Sequence, residues 1–116
     1  MNWIALENEA QLAAIQNESE QTLVLIFKHS TSCSISATAL GRLERNWKPE
    51  EMAEVKAYYL DLLSYRDLSR QIAQRFGIVH ESPQVLIISK GQCVYHASHL
   101  GISYAEVKQN ALRLQA

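Results

Sequence analysis

The chain has 116 residues, 47% of them hydrophobic, two cysteines and a formal net charge of -1. That length suits one domain with a real core, and two cysteines make no disulfide framework. A near-neutral chain without a basic patch excludes nucleic acid and anionic membrane as natural partners, and no apolar run approaches the roughly 18 residues of a membrane span.

Residues 3–6 read as a short strand and residues 7–16 as a helix, with Leu6, Ala10, Ala13 and Ala14 sharing a face. The N-terminal stretch lacks the basic-then-apolar pattern of a signal peptide, so a cytoplasmic location with reduced thiols is expected. After a polar loop, residues 22–27 read as a buried strand, carried by the unbroken apolar run Leu23-Val24-Leu25-Ile26-Phe27. A polar turn follows, Lys28-His29-Ser30-Thr31-Ser32, and then a helix from Cys33 to Trp47 with Ile35, Ala39, Leu40, Leu43 and Trp47 on its apolar stripe. Pro49 stops that helix.

Residues 55–62 form a second strand, and Ser64-x-x-Asp67 has the spacing of a helix cap. The helix after it carries Leu68, Ile72 and Phe76 inward and ends at Gly77. A loop runs to Pro83, residues 84–89 form an apolar strand, and Lys90-Gly91 turns the chain into a hairpin with residues 92–97. Ser103-x-x-Glu106 opens a last helix with Tyr104, Val107, Ala111 and Leu114 inward. No metal-ligating pattern is present among the four histidines. The order is α/β: a βαβ unit, which implies parallel strands, then a helix, an antiparallel hairpin and a final helix. This is the layout of a thioredoxin-like fold, a central mixed sheet of four to five strands with helices on both faces.

The chemistry is expected at Cys33. A thiol in the first turn of a helix faces open backbone N–H groups and the positive end of the helix dipole, and both favour the thiolate over the thiol. Two segments together, Phe27-Lys28-His29-Ser30-Thr31-Ser32-Cys33-Ser34-Ile35-Ser36 and His80-Glu81-Ser82-Pro83-Gln84, resemble the monothiol bacilliredoxins, thioredoxin-like proteins of the bacillithiol system. Ser98-His99-Leu100-Gly101-Ile102 fits the same family more loosely. The resemblance implies a cis Pro83 beside a reactive Cys33, with Ser36 standing where a dithiol thioredoxin has its second cysteine and Phe27 where it has a buried acid. The glycine of the cluster-carrying Cys-Gly-Phe-Ser glutaredoxins is missing too.

It further implies thiol–disulfide exchange on protein cysteines capped by bacillithiol, which serves as co-substrate, with no tightly bound cofactor. The partners would be S-thiolated client proteins and a small thiol or thiol reductase. Cys33 would be the nucleophile, Ser36 a hydroxyl donor to its sulfur, and His29 a source of charge or proton transfer. Thr31, Ser32, Ser34, His80, Ser82 and Pro83 would line the substrate site. Bland readings compete: a packed Cys33, structural Ser36, His29 and His80, a trans Pro83, and Cys93 as a small buried hydrophobe instead of a resolving thiol. So do two other functions, a non-catalytic peptide-binding module and a thiol sensor.

Overall fold

The computed structural model describes residues 2–115. Its elements are β1 (Ile4–Ala5), α1 (Glu9–Glu18), β2 (Leu23–His29), α2 (Ser34–Asn46), β3 (Val55–Asp61), α3 (Arg66–Phe76), β4 (Gln84–Ser89), β5 (Gln92–Ser98), a single 3-10 turn (His99–Gly101) and α4 (Tyr104–Gln115). The five strands form one mixed sheet in the order β1-β3-β2-β4-β5. β3 is parallel to β1 and β2, whereas β4 runs antiparallel to β2 and β5. This is the thioredoxin-like arrangement.

β2 sits at the centre because every one of its residues is buried. Alternation along a strand sends its side chains to two cores. Leu23, Leu25 and Phe27 join Val85 and Ile87 under α2 and α4. Val24 and Ile26 join Leu86 and Ile88 under α1 and α3. Such double-sided burial explains why the strand reads as a continuous apolar run. β2 is also longer than the apolar run alone predicts: Lys28 and His29 are paired to Leu60 and Asp61, and Leu62 N donates to His29 O at 2.9 Å. The polar turn therefore begins at Ser30.

Several local expectations shift. α1 starts two residues later, because Asn8 caps it by accepting the Gln11 N–H at 2.9 Å. Its buried residues are Leu12 and Ile15, and Ala10, Ala13 and Ala14 face solvent. The larger side chains remove more apolar area from water, so they set the rotation of the helix. In α2 the inward stripe runs through Ser36, Ala39 and Leu43, which leaves Ile35 about 100° round the helix from Ser36 and 43% exposed. Ser64 does not cap α3: its hydroxyl donates to Asp61 Oδ2 at 3.0 Å, and Tyr65 occupies the cap position without a side-chain bond. In α4 Leu114 is exposed, beside Thr22 and Leu23 at the edge of the sheet remote from Cys33.

The turn chemistry follows the sequence closely. Gly77 ends α3 with φ 66, and Lys90 and Gly91 take φ 52 and 74, the paired left-handed values of a two-residue hairpin turn. Buried Ser19 anchors that turn, its carbonyl accepting Lys90 N and its hydroxyl Gly91 N. Ser103 Oγ accepts the Glu106 N–H at 3.2 Å and opens α4.

Candidate active site

The register of the sheet brings the two sequence motifs to one edge. Lys28 pairs with Gln84 in the antiparallel β2–β4 ladder, so the end of β2 and the entry to β4 are neighbours. Cys33 follows the first, and Ser82 and Pro83 precede the second. The Ser82–Pro83 peptide bond is cis. Pro83 is buried, and its carbonyl accepts the His99 N–H at 3.0 Å. The 3-10 turn that His99 begins packs against α2.

Cys33 is the N-cap residue of α2 and is half-buried, with an unbonded thiol. Its N–H donates to Ser30 O, which closes the turn, and its carbonyl accepts the first helical bond from Ala37 N. The N–H groups of Ser34, Ile35 and Ser36 come before that bond and have no carbonyl within the helix to reach. Thr31, Ser32 and Ser34 are exposed around the turn, with Ser30 Oγ and Ser32 Oγ 3.4 Å apart.

Ser36 does something other than reach for the sulfur. It is fully buried; its oxygen accepts the Ser30 N–H at 3.0 Å and lies 2.7 Å from His29 Nδ1. It makes no hydrogen bond to Cys33 among the described residues. His29 is buried against Phe27 and Tyr59. Burial lowers its affinity for a proton, with Asp61 and Glu44 opposing. A neutral ring leaves Nδ1 free to accept the Ser36 O–H. A serine hydroxyl on an imidazole resembles the start of a hydrolase triad, but full burial of Ser36 keeps it from any substrate.

His80 lies on the other side of β2. The residue is exposed, and its Nδ1 lies 3.3 Å from Lys28 Nζ and 3.2 Å from Ser69 Oγ. Burial lowers its pKa, and the Lys28 charge lowers it further, against Glu81. Lys28 was not singled out by the sequence, because a lysine after an apolar run reads as the start of a turn. Its side chain is fully buried, and burial brings its pKa down from 10.5 to about 8.

Among the described residues three buried side-chain atoms lack a hydrogen-bond partner: Asp61 Oδ1, Ser82 Oγ and Gln84 Oε1. All three belong to this edge, at the end of β3 or the entry to β4. By contrast, a surface hollow of about 700 Å³ lined by Arg42, Lys48, Tyr104 and Lys108, between α2 and α4, contains none of the expected site residues. Cys93 lies on β5, half-buried, its thiol donating to Tyr95 O; burial pushes its pKa up. Among the described residues no three His, Cys, Asp or Glu side chains gather as metal ligands, and no helix is long and apolar enough to cross a membrane.

Known proteins place this geometry. A solved thioredoxin-fold structure, provisionally assigned as an oxidoreductase, is 32% identical and covers 91% of this chain and 90% of its own, with a TM-score of 0.76. Thioredoxin from Malassezia sympodialis (17% identity, 99% of this chain and 92% of that one, TM-score 0.74) and from Fasciola hepatica (18%, 94% and 96%, TM-score 0.72) share the fold. The family model for the monothiol bacilliredoxin BrxC matches residues 4–107. With its solitary cysteine at the helix start and serine three residues on, this chain is a redox protein that belongs to the monothiol bacilliredoxin family.

Proposed function

We propose that the protein is a thiol–disulfide oxidoreductase that removes a small thiol, bacillithiol by the family resemblance, from S-thiolated protein cysteines in the cytoplasm. The observation that carries this is the seat of Cys33: half-buried, at the open N-terminus of α2, on the edge shared with Ser82 and Pro83, with Ser36 in place of a second cysteine.

In the first step the Cys33 thiolate attacks the capping sulfur of the mixed disulfide. The new bond joins Cys33 to the small thiol, the old disulfide breaks, and the client cysteine leaves as a thiolate that takes a proton from water. In the second step another thiolate, from a free small thiol or a reductase, attacks the small-thiol sulfur and releases Cys33. The N–H groups of Ser34, Ile35 and Ser36 stabilise negative charge on sulfur at the start and end of each step. Ser36 accepts the Ser30 N–H and meets the His29 ring, and so fixes the turn that carries the sulfur. The backbone N–H and C=O of Ser82 have no partner among the described residues and suit an incoming extended peptide, as in strand addition. Thr31, Ser32 and Ser34, all exposed, supply hydroxyls along the rim.

The test is removal of bacillithiol from a capped client protein by wild type and by Cys33→Ser. Wild type is expected to release the small thiol and to carry it transiently on Cys33 by mass spectrometry. Equal release by Cys33→Ser overturns the mechanism.

A further inference from the structure

Lys28 is a fully buried cation whose Nζ meets only the Ser69 carbonyl, at 3.2 Å, and His80 Nδ1, at 3.3 Å; no carboxylate pairs with it among the described residues. Such a charge is expensive to bury, and an apolar side chain of the same length would serve the core better. Its retention needs a reason, and the geometry of the next loop supplies one.

Residues 77–83 connect α3 to β4 and end on the Ser82–Pro83 bond at the site. Buried polar groups hold this loop from beneath. Lys28 and Ser69 both meet His80 Nδ1. Gln84, fully buried and opposite Lys28 in the ladder, donates from Nε2 to Val79 O at 3.0 Å. Ile78 N donates to Ala73 O. An ammonium has donors and no acceptor. Where Lys28 donates, His80 Nδ1 accepts, which leaves the proton of a neutral ring on Nε2.

We propose that Lys28 is a positioning residue of the redox site, acting through His80: it locks the ring as the Nε2–H tautomer, pins the loop that leads into Ser82–Pro83, and so presents a fixed N–H donor to an oxygen acceptor of the disulfide substrate. The proposal rests on the redox reading of Cys33 above. The charged groups around His80 are Lys28 from β2, below it, and Glu81 from its own loop; Ser69 from α3 adds a neutral hydroxyl. With Lys28 charged, a second proton on the imidazole is disfavoured, which keeps Nδ1 an acceptor.

Two measurements on the full chain decide it. Nitrogen NMR of the His80 ring at neutral pH is expected to show Nδ1 bare and Nε2 protonated in wild type, and a mixture with proton on Nδ1 in Lys28→Met. An unchanged His80 ring in Lys28→Met overturns the proposal, whatever the activity. Kinetics of cap removal supply the second arm. Lys28→Met and His80→Leu are each expected to raise KM about tenfold with kcat little changed, the weight of one good hydrogen bond. The double variant should be no worse than either, since both remove one device. Additive losses, or a Lys28→Met enzyme like wild type, overturn the positioning role. His80→Leu changes an exposed ring, so the test survives should Lys28→Met fold poorly. A wild type that removes no cap instead overturns the redox reading, a result distinct from an active wild type indifferent to Lys28.

Discussion

The Ser36 hydroxyl is bound to the imidazole of His29, 2.7 Å away, while its oxygen takes the Ser30 N–H. The residue at the position of a second redox cysteine is thus an internal clamp on the turn, its hydroxyl engaged with His29 and Ser30. Ser36→Ala leaves a buried N–H and a buried imidazole nitrogen unpaired, at a cost of about 1–3 kcal/mol. Urea melts should register that loss. Alkylation of Cys33 by iodoacetamide should stay near the wild-type rate; a steep fall would return Ser36 to the sulfur.

Much of this arrangement was legible in the chain, and the exceptions have physical causes. The strand–turn–helix around Cys33, the cap at Gly77 and the Lys90-Gly91 turn depend on local backbone preferences, which short stretches encode. Lys28 escaped because a charged residue normally ends a buried strand. Only the register with β3 and β4, and the acceptors on α3 and the 77–83 loop, keep it inside. The His29–Ser36 bond joins opposite ends of a turn whose path no pattern specifies. The phase of α1 failed on small side chains: three alanines in helical register weigh less than Leu12 and Ile15. Ser64 met the spacing for a cap but found Asp61 first.

Buried Lys28 links stability to alkaline pH. Its pKa is about 8 in the fold against 10.5 for a free lysine. Below pH 8 both states hold the proton, and the fold carries the full penalty of a buried charge. Between the two values the unfolded chain binds more protons than the native one, so stability rises with pH through that window. The gain is on the order of 3 kcal/mol. Because other groups titrate there, the measurement is the difference between wild type and Lys28→Met in urea melts from pH 7 upward. The difference should narrow as pH climbs, with Lys28→Met the more stable at neutral pH.

The histidines act at the acid end. Burial lowers the pKa of His29, and burial together with Lys28 lowers that of His80, both from an ordinary 6.5. In the window below 6.5 the unfolded chain takes up protons that the native rings refuse. Stability contributed by these neutral rings is therefore complete above 6.5 and is lost as pH falls through the native values. Urea midpoints at about pH 7 and about pH 5 should show the drop, and His80→Leu should show less of it. Ring titrations by NMR should place both midpoints below that of a free histidine.

The two thiols should separate cleanly in reactivity. Cys33 is half-buried at a helix start, with the open N–H groups of the first turn around it. Cys93 packs against the core beneath α1 and α3, its thiol spent on Tyr95 O and its pKa raised by burial. A thiol reacts as its thiolate, so brief iodoacetamide treatment of the folded protein should label Cys33 first, with Cys93 following only on unfolding. Cys93→Ser should keep cap removal intact, and oxidised protein should run as a mixed disulfide with the small thiol at Cys33. An internal Cys33–Cys93 bridge, read by peptide mass after oxidation, would instead make Cys93 a resolving thiol.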